Sequence, residues 1–190
     1  MKSSALDIAA WIELGVCWVV WAMAFVKPKE RASGQKKSVR APSSRWGILM
    51  VMLGFACIWA FVRPVGFEKS AASLITSMML APPSVVLVWM AARHLDKQWR
   101  FEAALSEDHK LITTGPYRWI RNPIYASMLG MLLATGFAKT WLPLLVAGVI
   151  FFVIGTEIRV RAEEKLLEER FGEEFTRYKA QTPAYLPFVR

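Results

Sequence analysis

Cysteine and histidine are scarce in this chain, and glycine motifs that cradle nucleotides are missing. The 190 residues include two cysteines and two histidines. Cys17 and Cys57 both fall inside apolar runs, with no CxxC and no Cys/His cluster. That pattern excludes a disulfide framework and leaves two inert buried thiols; no metal site is expected. No GxGxxG follows a strand, and there is no Walker loop and no GxSxG elbow. A nucleotide-like cofactor would therefore need a site built from helices. Acidic residues are also few, 15 against 24 lysines and arginines, for a net charge of +9. In a soluble protein that balance would point to nucleic acid. Here the charge sits between apolar runs, so anionic headgroups and membrane orientation account for it, and no nucleic-acid partner is expected. The first residues do not read as a secretory signal either. Lys2 is the only early basic residue, Asp7 and Glu13 interrupt the first apolar run, and no cleavage site is clear, so a retained first helix is expected.

What is abundant is apolar sequence. The chain is 55% hydrophobic, with a mean hydropathy of +0.32, above the range usual for a soluble domain. Nine tryptophans suit helices that end among lipid headgroups. Five runs have the length and character of membrane spans, at about 6–26, 46–62, 71–92, 123–137 and 141–156. The third contains Pro82 and Pro83 and is expected to kink, its freed carbonyls taking partners from neighbouring helices. The last two are short and joined by Ala138, Lys139 and Thr140, which reads as a tight helical hairpin.

Loop charges set an orientation. The first loop carries Lys27, Lys29, Arg31, Lys36, Lys37, Arg40 and Arg45 against Glu30, and the segment 93–122 carries Arg93, Lys97, Arg100, Lys110, Arg118 and Arg121. With five spans, both basic loops and the tail from Glu157 lie in the cytoplasm and the N-terminus lies outside. The tail over 157–171 is rich in Glu, Lys, Leu and Arg and stops at Gly172, so it reads as a helix continuing the fifth span, and Pro183 and Pro187 end regular structure. Leu166, Leu167, Phe171 and Phe175 form an apolar face at helical spacing. The expected fold is thus an all-α integral membrane protein with about five transmembrane helices, the last two a short hairpin, plus a cytoplasmic C-terminal helix. It forms a single domain, with 1–100 supplying three spans and the basic loop, and 101–190 supplying a loop, the hairpin and the catalytic helix.

Polar residues able to do chemistry gather on either side of that hairpin. Arg159 and Glu163 stand four apart and share a helix face just past the fifth span. They read either as a surface ion pair or as a polar site at the membrane rim. The guanidinium is a planar fork suited to carboxylate or phosphate, and the carboxylate can accept from hydroxyls or an ammonium. Gly115–Pro116–Tyr117 reads as a turn, and Asn122–Pro123 as a helix start with Asn122 as N-cap. Taken one by one, Tyr117 and Tyr125 also fit interfacial aromatics, and His109 a solvated loop residue.

Taken together, HKLITTGPYRWIRNPIY, a short hairpin, and RVRAEEKLLEERFGEEFTRYKAQTPAYLPF resemble the isoprenylcysteine carboxyl methyltransferase family, within a membrane methyltransferase superfamily that includes phospholipid N-methyltransferases. The family signature is a block H-x-L-(V/I)-x-x-G-x-Y-x-x-x-R-H-P-x-Y followed by R-x-x-x-E-E and F-G. The resemblance covers about residues 102–188, and it is specific to the superfamily rather than to a substrate. It implies that S-adenosyl-L-methionine, leaving as S-adenosyl-L-homocysteine, contacts His109, Lys110, Leu111, Ile112 and Tyr117, the segment Asn122, Pro123, Ile124 and Tyr125, and Glu163. Glu102 stands where a relative has a cofactor-contacting glutamine. Arg159 matches the arginine assigned to the methyl-accepting substrate. The family's Arg-His-Pro is Arg121-Asn122-Pro123 here, and asparagine cannot titrate.

The resemblance therefore implies methyl transfer to a lipophilic or prenylated-cysteine acceptor entering from the bilayer, among membrane lipids. An amine acceptor must first lose a proton and so wants a base. With Asn122 in place of histidine, His109 is the only imidazole in the matching region, which favours a carboxylate acceptor. The alternatives are a phospholipid or lipid amine N-methyltransferase, or a non-catalytic membrane protein. The oligomeric state is not legible.

Overall fold

The computed structural model describes residues 5–26, 39–40, 44–61, 67–95, 104–105 and 111–185. Each of the five apolar runs forms a helix: α1 Ala5–Met23, α2 Ser44–Trp59, α3 Ala71–Leu95, α4 Pro123–Lys139 and α5 Leu142–Phe171. A sixth, α6, spans Glu173–Gln181. Three of them, α1, α3 and α5, are long and apolar enough to cross a membrane, and α2 is a shorter apolar helix. Two two-residue strands, β1 Val39–Arg40 and β2 Ala104–Leu105, pair antiparallel and tie the loop after α1 to the loop after α3.

The helices have one inward face and one bare apolar face. On α1, Ala10, Leu14 and Cys17 are buried, while Ile8, Ile12, Val16, Val19 and Met23 form an exposed stripe, each at least half exposed. Apolar faces of that extent suit lipid rather than water. On α5 the inward face runs Leu145, Gly148, Phe152, Gly155, Thr156, Arg159 and Val160.

Two seams hold the bundle. In the first, α1 lies on α3 and α4 through tryptophans. Trp18 Nε1 donates to Thr135 Oγ1 at 3.0 Å, Trp21 Nε1 to Ser127 Oγ at 2.7 Å, and Trp89 Nε1 to the Val20 carbonyl at 3.0 Å. Buried indole N–H groups need such partners. These three tryptophans are therefore seam residues rather than headgroup anchors. In the second seam, α2 runs antiparallel to α5 on glycine. A β-carbon on Gly155 would lie 2.6 Å from the Gly47 carbonyl oxygen, and one on Gly54 would lie 2.7 Å from that of Gly148. Small residues let the two backbones touch.

Three expectations take a definite form. Pro82 and Pro83 lie inside α3, which stays one helical element; Ser84 Oγ back-bonds the Leu80 carbonyl at 2.7 Å and fills the space left by the missing side chain of Gly130. Thr140 and Trp141 join α4 to α5, and the two helices meet near that turn, at Gly136 and Leu145, and again at Tyr125 and Arg159. Between those points α4 lies mainly against α3 and α5 mainly against α2, so the pair is wedged into the bundle rather than closed on itself. At 30 residues, α5 is roughly 45 Å long, well beyond a hydrocarbon core of about 30 Å. Its last turns project past the bundle, as the tail's composition implied. Finally, Phe171 and Phe175 do not share a helix. Gly172 adopts φ 52°, and the chain turns back as α6 with Phe175 buried.

The bundle has two distinct ends. At one, Lys139 Nζ donates to the Phe61 carbonyl at 2.6 Å, Lys69 Nζ to the Thr140 carbonyl, and Ser73 Oγ to the Phe137 carbonyl at 2.7 Å. At the other end meet the start of α2, the end of α3, the start of α4, the projecting part of α5, and α6.

Candidate functional site

The polar residues of that second end form two adjoining clusters, each built where a helix start meets α5. The loop into α4 is seated first. Gly115 has φ 61°, and a β-carbon there would lie 2.2 Å from His94 Nε2, so only glycine lets this turn close over the end of α3. The turn Gly115–Arg118 follows. Pro123 then opens α4, its fixed φ and missing N–H suiting the first helical position. That places Tyr125 on the first turn of α4, pointing at α5.

The first cluster is Tyr125, Arg159 and Glu163. Tyr125 Oη donates to Glu163 Oε1 at 2.7 Å, Arg159 Nε donates to Tyr125 Oη at 2.6 Å, and Arg159 Nη2 lies 3.2 Å from Glu163 Oε1. The guanidinium carbon sits 5.7 Å from the Tyr125 ring centre. Arg159 is 7% exposed and stands on the buried face of α5, which rules out the surface-pair reading. A cation so desolvated needs both partners. The start of α2 walls it in, since a β-carbon on Gly47 would lie 2.5 Å from Arg159 Cγ.

The second cluster is Arg121, Glu164 and Lys179. Arg121 Nε and Nη2 reach Glu164 Oε1 at 3.1 and 2.9 Å, and Lys179 Nζ lies 2.9 Å from Glu164 Oε2 and 2.8 Å from Glu168 Oε1. Both carboxylates hold the Lys179 ammonium charged, raising its pKa. Tyr178 Oη donates to the Tyr117 carbonyl at 2.6 Å. Burial pushes the Tyr117 phenol well above its ordinary pKa, with smaller upward pushes from Tyr178 and Glu163, so its ring lies within electrostatic reach of the first cluster.

Of the residues singled out in the sequence, the structure brings Tyr125, Arg159 and Glu163 into direct contact and sets Tyr117 nearby, 8% exposed. Asn122 precedes α4 but makes no side-chain cap; its Nδ2 donates instead to the Ala184 carbonyl at 3.1 Å. With φ −123° and ψ 60° its side chain is turned toward the tail rather than over the helix start. Pro123 is buried, and Leu111, Ile112 and Ile124 are half-buried. Glu102, His109 and Lys110 lie outside the described residues, as do most of the basic residues of the first loop and Pro187. Sequence reasoning missed Arg121, Glu164, Lys179, Tyr178 and Gly47, as well as His94, the second imidazole near this loop. The pairing of Gly47 and Gly54 with Gly155 and Gly148 was written in their equal seven-residue spacings. Nothing local marked Lys179 as a partner of Arg121.

The phospholipid methyltransferase family (PEMT) matches residues 72–174. That is more than half of the chain and includes both clusters apart from Tyr178 and Lys179, so the chain belongs to this family. It is also similar to the protein-S-isoprenylcysteine O-methyltransferase of Mus musculus, 32% identical over 88 residues, covering 45% of this chain and 30% of the relative. The Homo sapiens protein of the same name gives the same identity and coverage. Protein-S-isoprenylcysteine O-methyltransferase B of Arabidopsis thaliana is 27% identical over 119 residues, covering 61% of this chain and 56% of the relative. The chain thus spans less than two thirds of the length of each of these relatives.

Proposed function

We propose that this chain is an integral-membrane, S-adenosyl-L-methionine-dependent methyltransferase acting on a lipophilic acceptor, most like carboxyl O-methylation of an isoprenylcysteine. The observation that carries the reading is the contact of Tyr125, Arg159 and Glu163 at one end of an otherwise apolar bundle. A carboxylate, a phenol and a desolvated guanidinium within hydrogen-bond reach of one another form a donor set for a ligand with both cationic and anionic ends. The names of the similar enzymes supply the acceptor class.

The fit to the cofactor rests on the chemistry of this donor set. Glu163, with Tyr117, Tyr125 and the segment around Asn122, would hold the cofactor's hydroxyl and ammonium groups; Leu111 and Ile112 would line its apolar side, and His109, Lys110 and Glu102 complete the expected set. When bound, S-adenosyl-L-methionine supplies an electrophilic methyl group on a sulfonium. Arg159 holds the acceptor carboxylate by a paired hydrogen bond and orients its lone pair. No base is required for a carboxylate already ionised, so alignment and exclusion of water supply the rate. The five helices α1 to α5 are taken as spans, with the N-terminus outside and this end of the bundle cytoplasmic. The cofactor then arrives from the cytosol and the acceptor sideways from the bilayer.

The test is calorimetric titration of detergent-purified protein with S-adenosylhomocysteine. Wild type binds, and Glu163→Ala weakens binding about 100-fold, since a hydrogen bond from the ligand to a charged acceptor is lost, at a cost of about 1.5–3 kcal/mol. Unchanged affinity in Glu163→Ala would remove Glu163 from the site. The family description favours a second reading, methylation of a phospholipid amine. Product chemistry separates the two: a carboxyl methyl ester is cleaved by mild base and an N-methyl group is not.

A further inference from the structure

The second cluster sits beside the site without entering it. Arg121 is the residue before Asn122, and Glu164 the residue after Glu163. Both side chains are close to fully desolvated, 13% and 12% exposed. Arg121 spends its whole guanidinium on fixed partners: Nε and Nη2 on Glu164, and Nη1 on the carbonyls of Lys179, at 2.8 Å, and Thr182. Its backbone continues the attachment. The Arg121 amide donates to the Pro183 carbonyl at 2.9 Å, and the Asn122 amide to the Ala184 carbonyl at 3.0 Å. The segment 178–185 also grips both neighbours, through Tyr178 on Tyr117 and through Tyr185 Oη on Glu157 Oε2 at 3.2 Å.

This geometry joins three pieces that are remote in sequence. The loop carrying Tyr117 and Asn122, the helix carrying Arg159 and Glu163, and the chain after α6 meet at one guanidinium. Five donors in a rigid fork fix distance and angle in a way a lysine cannot. We propose that Arg121 is a positioning residue: with Glu164 it pins residues 178–185 as a strap across the loop and α5, and so sets the spacing between Asn122–Tyr125 and Glu163 that cofactor binding requires. The proposal rests on the methyltransferase reading above, and it adds the tail to the site.

The test combines Arg121→Gln, Arg121→Lys and Glu164→Gln in the full chain. Hydrogen exchange reads the strap without any ligand. In Arg121→Gln the amides of residues 121 and 122 lose protection, while amides in the middle of α3 and α5 keep theirs; retained protection at 121 and 122 overturns the proposal. Titration with S-adenosylhomocysteine reads the consequence. Arg121→Gln and Glu164→Gln raise Kd about 10- to 100-fold at unchanged stoichiometry, the scale of losing one hydrogen bond between the ligand and a charged group that is no longer in reach. Arg121→Lys, which keeps the charge but not the fork, recovers part of the loss. A merely structural residue would behave otherwise, lowering stoichiometry as the misfolded fraction grows while Kd in the folded fraction stays at the wild-type value; that result overturns the proposal. In turnover, KM for S-adenosyl-L-methionine rises and kcat at saturation stays within a few-fold. If wild type itself fails to bind S-adenosylhomocysteine, the methyltransferase reading fails and Arg121's cofactor role with it, whereas normal wild-type binding with unaffected variants sinks the strap alone.

Discussion

Helix α5 carries two arginine–glutamate pairs at the same four-residue spacing, Arg159 with Glu163 and Arg161 with Glu157. At 3.6 residues per turn, a two-residue offset puts them on nearly opposite faces. The side chains of Arg161 and Glu157 are 79% and 43% exposed, whereas those of Arg159 and Glu163 are 9% and 29% exposed. Their order along the chain differs as well. Glutamate before arginine, as in Glu157–Arg161, is the arrangement that supports an isolated helix; arginine first, as in Arg159–Glu163, is the poorer one. The pair that helps the helix is on the surface, and the pair that helps it less is in the interior with a tyrosine between its partners. Helix stability does not account for the inner pair; the ligand site proposed for it gives both side chains a role.

The largest effect that separates the pairs is on turnover. Arg159→Ala lowers methyl transfer to a prenylcysteine carboxylate by about 100-fold or more, the scale of losing one preorganised donor, and leaves S-adenosylhomocysteine affinity nearly unchanged. Arg161→Ala changes neither. Parallel assays of the two variants check this, and a fully active Arg159→Ala would refute its role in holding substrate. The next effect sharpens why the inner face is closed. Gly155 lies one turn before Arg159, and a β-carbon there meets the Gly47 carbonyl and the Val51 amide, both at 2.6 Å. Gly155→Ala should cost about 1–3 kcal/mol by overpacking. Gly15→Ala, with nothing within 4 Å of its β-carbon, should instead gain up to about 1 kcal/mol of helix propensity. Thermal unfolding in detergent measures both, and equal shifts would mean that α2 and α5 do not touch.

The smallest effect concerns the polar end beyond both pairs. Burial pushes the Tyr178 phenol from its ordinary value near 10 up to about 12; Arg121 opposes that shift and Glu164 adds to it. A raised pKa means that the folded form favours the neutral phenol. Its contribution is complete below about pH 10 and is lost as pH rises toward 12. Docking of α6 should therefore loosen over that window in wild type, and Tyr178→Phe should flatten the response. Phenolate absorbance followed alongside proteolytic release of the tail reads the change, and an identical pH profile in the variant would exclude Tyr178 as the cause.

Much of this was legible in the chain. Each apolar run became a helix because consecutive apolar residues of that length have few alternatives. The stop at Gly172 and the start at Pro123 followed from backbone chemistry. Tyr125, Arg159 and Glu163 were singled out by their place in two sequence blocks, and they converge. Asn122 was read correctly in position but not in bonding, because a cap needs Oδ1 turned over the helix start, whereas here the side chain is turned so that Nδ2 donates to the distant Ala184 carbonyl, and only the fold decides between the two orientations. The tryptophans were read as headgroup anchors because amphipathic rings favour that interface. Trp18 and Trp21 instead found hydroxyls on α4, more than a hundred residues away.

The sequence by itself determined the class of molecule, an apolar helical bundle whose polar residues gather in two stretches. Hydrophobic length, helix breakers and charge position are local quantities, and they act within a few turns. The tertiary structure decided which of two ion pairs at the same spacing is buried, which glycines face each other, and that Arg121 meets Lys179 and Pro183. Those outcomes depend on which helix lies beside which, and thus on packing energies shared among segments far apart in the chain.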